Sequence, residues 1–372
     1  MHTVDTLLLK SRLTRDDLVR LLSLTGSEDI QKLYEAAYRV KLQQVGAKVY
    51  FRGLIEFSNI CEKNCLYCGI RKDNPAQQRY MMSRDEILDA ALWAYDNGYG
   101  SIVLQSGERT DPKYIGFVTE VIASINKNTG GGLAMTLSLG EQDRRTYERW
   151  REAGAHRYLL RIETANPDLY AKLHPTGHSF TRRVQCLREL KDIGYQLGTG
   201  VMIGLPFQTL GHLADDILFF ENMEIDMIGM GPYVIHDATP LAEAAAGFDR
   251  ERNFELALKM ISLVRMQLRD VNIAATTALQ ALHPQGRELG LRAGANVIMP
   301  IITHKKYREL YQLYNDKPCV NEQAEQCKGC LENRIGSINE EIAYNEWGDP
   351  PHYFRRTKAA AQPLPQKGGS AA

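Results

Sequence analysis

The sequence predicts an α/β protein built on a (β/α)8 TIM-type barrel, with a helical N-terminal extension and an irregular C-terminal segment. Three observations carry this. Short runs rich in Val, Ile, Leu, Thr and Tyr alternate with amphipathic stretches of ten or more residues. Eight such runs begin near Phe51, Ser101, Ala134, Arg157, Gln196, Met227, Asn272 and Ala295. Their spacing averages about 35 residues, the length of one βα unit. Eight units suit a closed barrel of about 250 residues, whose active site gathers at the strand C-termini. A doubly wound open sheet shares the alternation, because periodicity does not report closure.

Residues 1–50 read as helices. "TRDDLVRLLSL" opens on a Thr cap and an acidic first turn, and "SEDIQKLYEAAYRVKLQQVG" ends at glycine. The barrel is expected over 51–316, with helices such as "SRDEILDAALWAYDNG", "EQDRRTYERWREAG", "SFTRRVQCLRELKDIG" and "HLADDILFFENM" starting at polar or charged residues and several ending at glycine. A C-terminal segment follows over 317–356. The remainder, 357–372, is poor in residues that could be buried and reads as disordered.

Composition narrows the function. Basic and acidic residues number 45 each, so nothing in the charge suggests a nucleic-acid or anionic-membrane partner. No apolar run approaches the roughly 18 residues that cross a bilayer. The first 17 residues have only a three-leucine apolar centre, too short for a secretory signal. A soluble, cytoplasmic protein is expected, in which disulfides are rare.

Six of the seven cysteines fall in two tight groups, Cys61/Cys65/Cys68 and Cys319/Cys327/Cys330. Cys186 lies in a helical pattern and reads as a buried apolar thiol. The first group, C-x3-C-x2-C, sits just past the first predicted strand, at the active end of a barrel. A structural zinc site prefers four protein ligands, and no fourth ligand is apparent at knuckle spacing. A 4Fe-4S cluster on three cysteines leaves one iron open to a small molecule. His156, His174, His236 and His283 offer no pair at ligand spacing and are expected at the surface or behind the site.

The strand ends supply polar groups: "VLQSGE", "MTLSLGE", "RYLLRIETAN", "GVMIGLPFQT", "MIGMGPYVIHDATPL" and "IAATTAL". Period-two alternation puts Thr136 and Ser138 on one face, and Arg161 and Glu163 on another. Arg and Glu facing inward are costly unless they meet each other or a ligand. One reading is a buried pair bracing the barrel. For the threonines the alternative is plain strand-forming core.

C-x3-C-x2-C with Tyr67 before the last cysteine resembles the signature of the radical S-adenosylmethionine (SAM) superfamily. Segments such as "RGLIEFSNICEKNCLYCGIRKDN", "AGAHRYLLRIETANPDLYAKLHP" and "YRELYQLYNDKPC" resemble its FeFe-hydrogenase maturase branch, in order, over most of 45–330. The resemblance implies a complete barrel and a 4Fe-4S cluster on Cys61, Cys65 and Cys68 that binds SAM. It implies SAM contacts at Ser138, Glu163, Arg183 and Met202, with Ser106, Gly107 and Glu108 near its amino group. It further implies a cavity lined by Thr136, Arg161, Thr276 and Thr277 that takes anions and substrate.

The implied substrate is an organometallic iron–cysteine species bearing carbonyl and cyanide, with the maturases HydG and HydF as partners and a reduced donor such as ferredoxin or flavodoxin. Cys319, Cys327 and Cys330 match an auxiliary cluster, often 2Fe-2S, absent from other members. An adventitious metal site or free thiols are the alternatives there. Phe207 stands where the family usually has glycine, and Ile162 where some members have histidine. Biotin synthase and the lysine mutase that makes methylornithine are the rival enzyme readings, and a non-catalytic metal-binding scaffold is the reading from another class.

Overall fold

The computed structural model describes residues 3–321 and 324–357. Strands β1 (Lys48–Ser58), β2 (Ser101–Ser106), β3 (Ala134–Ser138), β4 (Arg157–Leu159) and β5 (Gln196–Thr199) pair in chain order, all parallel. A short strand, β6 (Met202–Ile203), intervenes before β7 (Met227–Ile228), and β8 (Gly231–Pro232) precedes β9 (Asn272–Ile273) and β10 (Val297–Ile298). β5 pairs β7, β7 pairs β9, and β10 pairs β1. A parallel bridge between Ala274 and Val297 joins β9 to β10 and completes the ring. Ala275 N donates to Val297 O and Asn296 N to Ile273 O, both at 2.9 Å. The eight-stranded cylinder of the sequence reading is therefore closed, and the open-sheet alternative falls. β6 and β8 form a separate pair at the C-terminal rim, beyond β5 and β7.

Helices surround the cylinder because each inward apolar stripe has a sheet to cover. Local chemistry fixes their ends. Thr14 and Ser83 close capping boxes with Asp17 and Glu86 at the starts of Arg15–Leu22 and Arg84–Asp96. Gly194, at φ 91°, ends Phe180–Ile193. Cys186 is fully buried on that helix, as expected. The main core lies between barrel and helices, while Leu54, Val103 and Ile301 form a small cluster of their own. None of the described helices is long and apolar enough to cross a membrane.

The C-terminal segment is more regular than the sequence suggests. It contains the helix Ala324–Gly336, strand β11 (Glu341–Ile342) and the helix Pro351–Thr357. Thr357, placed in the tail by composition, ends that last helix, and 358–372 lie outside the described residues. β11 pairs with the start of β1, and the following loop covers the N-terminal end of the barrel. There Asp349 accepts from Arg157 Nη2, from Gln196 Nε2 at 2.7 Å and from His156 Nε2 at 2.9 Å, while Asn272 Nδ2 donates to Gly348 O at 2.6 Å. Polar partners recruit this segment, so a search for apolar periodicity does not see it.

Candidate active site

The opposite, C-terminal end of the barrel opens into a cavity of about 330 Å³. Cys61, Cys65 and Cys68 stand on its wall, in the loop directly after β1. That loop is held by its backbone: Glu62 N donates to Glu108 O, Leu66 N to Leu173 O and Gly69 N to Leu313 O. Cys61 Sγ accepts from the amides of Lys63 at 3.4 Å and Glu108 at 3.3 Å, donors of the kind that stabilise a metal-bound thiolate. Gly107 makes this approach feasible. A Cβ there would lie 2.4 Å from Ile60 O and 2.7 Å from the Cys61 Cβ. Burial pushes the Cys65 thiol up to about 12, opposed by nearby Arg183. Cys68 is raised by burial and by the two neighbouring sulfurs.

The strand ends deliver the predicted residues. Ser106, Gly107, Glu108, Ser138, Arg161, Glu163, Arg183, Met202, Thr276 and Thr277 all line the cavity. Thr136 does not. It is fully enclosed, two residues below Ser138 on the same strand face, and its Oγ1 has no hydrogen-bond partner. The hydroxyl of Ser106 is engaged by Tyr114 OH at 2.5 Å and Gly107 O at 2.7 Å, so it shapes the wall rather than offering a free donor.

Arg161 and Glu163 meet, but not by strand alternation. β4 stops at Leu159, and Glu163 adopts φ 65°. The turn brings Arg161 Nη2 to 3.0 Å from Glu163 Oε2. Burial nevertheless pushes the Glu163 carboxyl up, against Arg161 and Arg183. Arg183 is fixed by Glu141 Oε1, which accepts from its Nε at 2.6 Å, and by Arg161 O at 2.5 Å from its Nη1. Lys63 Nζ bridges Glu108 and Glu141, at 3.1 Å from each. Burial works against ionisation of Glu141, but Arg183 and Lys63 outweigh it and hold the carboxyl below its usual range.

Three polar atoms along this wall have no hydrogen bond: Arg161 Nε, Tyr233 Oη and Thr276 Oγ1. Buried donors and acceptors are normally satisfied, so unmade bonds facing one cavity mark a place for a polar ligand. Three sulfurs, two amide donors and an adjoining polar cavity fit a cluster with a bound small molecule.

Several lining residues escaped the sequence reading. Tyr311, Leu313, Tyr314 and Lys317 come from the approach to the C-terminal segment, and Glu56 from β1. The Tyr311 and Tyr314 pair was the available signal. The distal group is less convergent. Cys327 and Cys330 are one turn apart on the helix Ala324–Gly336, buried and exposed respectively. Cys319, at φ 65°, receives a contact from Arg287 Nη2 at 3.8 Å. Phe207 is 56% exposed at φ 67°, with Lys172 Nζ 5.1 Å from its ring centre, and Ile162 is fully buried.

The histidine expectation needs correcting. Among the described residues, the one group of three Cys, His, Asp or Glu ligand atoms all within 4.8 Å of one another is Cys65, His174 and His178. His174 is buried directly behind the cysteine loop. His178 was overlooked, although H-x3-H is itself a ligand spacing. Neither cysteine trio meets the same limit, whereas a single tetrahedral ion with bonds of about 2.3 Å needs its sulfurs about 3.8 Å apart.

A parallel barrel with three cysteines at its C-terminal mouth defines a radical SAM enzyme, and residues 55–220 match the family model "Radical SAM superfamily". The chain is 46% identical over 342 residues to the "[FeFe] hydrogenase maturase subunit HydE" of Thermotoga maritima, covering 92% of this chain and 95% of that one. It belongs to the HydE family of radical SAM enzymes, which implies a 4Fe-4S cluster and SAM. It is also 30% identical over 297 residues to the 3-methylornithine synthase of Methanosarcina barkeri, covering 78% of this chain and 80% of the relative. Among solved structures, methylornithine synthase (PylB) superposes with a TM-score of 0.78 at 26% identity, covering 92% of this chain and 97% of that one.

Proposed function

We propose that this protein is a maturase in the assembly of the FeFe-hydrogenase active centre, acting on a cysteine-ligated iron carbonyl cyanide species. The observation that carries the reading is the wall of unsatisfied polar atoms facing the same cavity as the three cysteines. When bound, the cluster and SAM supply an electron and a 5′-deoxyadenosyl radical. The chain's residues bind and orient. Cys61, Cys65 and Cys68 hold the cluster. Ser138, Glu163, Arg183 and Met202 hold SAM, with Ser106, Gly107 and Glu108 beside its amino group. Arg161, Thr276 and Thr277 present a guanidinium and hydroxyls suited to a carboxylate or cyanide.

The lysine-mutase reading is weaker on the same geometry. A substrate ammonium needs a waiting carboxylate, yet Glu56, Glu108 and Glu163 each already face a cation: Lys317, Lys63 and Arg161. Cys319, Cys327 and Cys330 are assigned to an auxiliary 2Fe-2S cluster outside the reaction. HydG and HydF are the proposed partners, and ferredoxin or flavodoxin the electron source.

The test is twofold. Reconstituted protein with dithionite and SAM should form 5′-deoxyadenosine, and Cys65→Ser should not. Co-expression with a hydrogenase and the other maturases should give hydrogen evolution that depends on this gene and survives Cys327→Ala. No deoxyadenosine above the Cys65→Ser control would leave a metal-binding scaffold. Turnover of SAM without support of hydrogenase activity would refute the maturase assignment.

A further inference from the structure

His174 and His178 are not used by the reading above, yet they stand beside Cys65. The backbone brings them there. The helix Pro167–Leu173 ends at His174, and a turn closed by His178 N to Pro175 O at 3.2 Å, with Gly177 at φ 101°, folds His178 back. The two rings lie 5.6 Å apart, tilted by 32°. Leu66 N, donating to Leu173 O at 3.0 Å, pins the cysteine loop to the same helix end.

We propose that, before a cluster is assembled, Cys65, His174 and His178 form a mononuclear site for a soft divalent cation, zinc foremost, whose occupation excludes cluster assembly. Their ligand atoms are already within 4.8 Å of one another, so bonds of about 2.0–2.3 Å to one ion require only small side-chain movements. His174 Nδ1 lies 2.9 Å from Tyr170 O and donates to it, which turns Nε2 towards the site in the way outer partners orient metal-binding imidazoles. The present partner of Nε2 is Tyr67 OH at a long 3.3 Å, readily displaced. His178 Nδ1 is enclosed without a hydrogen bond. One thiolate and two imidazoles favour zinc or cobalt over magnesium or calcium. Three protein ligands leave a fourth position for water. Exclusion follows because both occupants need the same Cys65 sulfur.

The experiment uses the full chain, freed of iron under anaerobic conditions, carrying Cys327→Ala and Cys330→Ala to dismantle the distal group. Titration with cobalt(II) alone should give tetrahedral bands and a thiolate charge-transfer band at one equivalent. Cys65→Ser should abolish the charge-transfer band. His178→Ala, a change at a partly exposed position that circular dichroism can check for folding, should weaken cobalt binding about tenfold or more. One equivalent of zinc should slow iron–sulfide reconstitution of the parent and leave His178→Ala less affected. Cobalt bands that persist unchanged in Cys65→Ser, or in both His174→Ala and His178→Ala, would overturn the site. Reconstitution indifferent to bound zinc would overturn the exclusion.

Discussion

Lys317 Nζ lies 2.6 and 2.7 Å from the two carboxylate oxygens of Glu56, 261 positions earlier, and donates also to Tyr311 O at 2.9 Å. Both side chains are almost fully buried, and both line the cavity. The pair therefore ties the segment that closes the cavity to the first barrel strand. Lys317→Met leaves Glu56 buried without its cation and should cost about 3–5 kcal/mol. Adding Glu56→Leu should recover most of the loss. Denaturant titration of the two variants measures both, and a double variant less stable than the single would refute the pairing as the source.

Asp216 makes a pH-dependent contribution. It is fully buried on the helix Leu210–Asn222, where Oδ1 accepts from Ala165 N at 2.5 Å and Oδ2 has no partner. Burial pushes its carboxyl up to about 8. The folded state thus holds a proton that the unfolded state releases near pH 4, and stability falls as pH rises from about 4 to about 8. Asp216→Asn keeps an acceptor for Ala165 and removes the titration. Its melting temperature should gain on the wild type between pH 5 and pH 8. A constant difference across that range would show that Asp216 is ionised in the fold.

Gly107→Ala tests the close approach of the second strand end to the cysteine loop. The added carbon would collide with backbone and with the Cys61 side chain, neither of which can swing away. The barrel below should persist by circular dichroism, while iron bound after reconstitution falls several-fold. Unchanged iron content would mean that the loop is free to move.

Asp349 acts at the far end of the barrel. Burial would raise its carboxyl, but Arg157 and His156 outweigh that and hold it far below the usual range. Its contribution is therefore complete above about pH 4 and lost as pH falls through its folded value. Asp349→Asn leaves the fully buried Arg157 uncompensated and should cost about 3 kcal/mol at pH 7. SAM affinity by calorimetry should be unaltered, because this contact lies at the opposite end of the cylinder. A joint loss of stability and SAM affinity would instead indicate coupling through the strands.

Much of this was legible in one dimension. Six of the eight barrel strands start where the apolar runs do, and the first and last start at Lys48 and Val297, within three residues, because β-branched clusters and helical periods are local properties. Cys61, Cys65 and Cys68 were legible because their spacing is local too. Arg161 and Glu163 would share a face by strand alternation only if β4 continued past Leu159; in the fold a left-handed turn at Glu163 makes the contact instead.

What the sequence by itself determined is the alternation of strands and helices and the cysteine corner, since each rests on neighbours within a few residues. Only the tertiary structure decided that the ring closes between Ala274 and Val297, that Lys317 reaches Glu56, that Asp349 seals the far end, and that His174 and His178 stand behind Cys65. Those are contacts between residues roughly 20 to 260 positions apart, made by charge and hydrogen bonding. Polar partners of that kind carry no period, so nothing in the linear pattern announces which will meet.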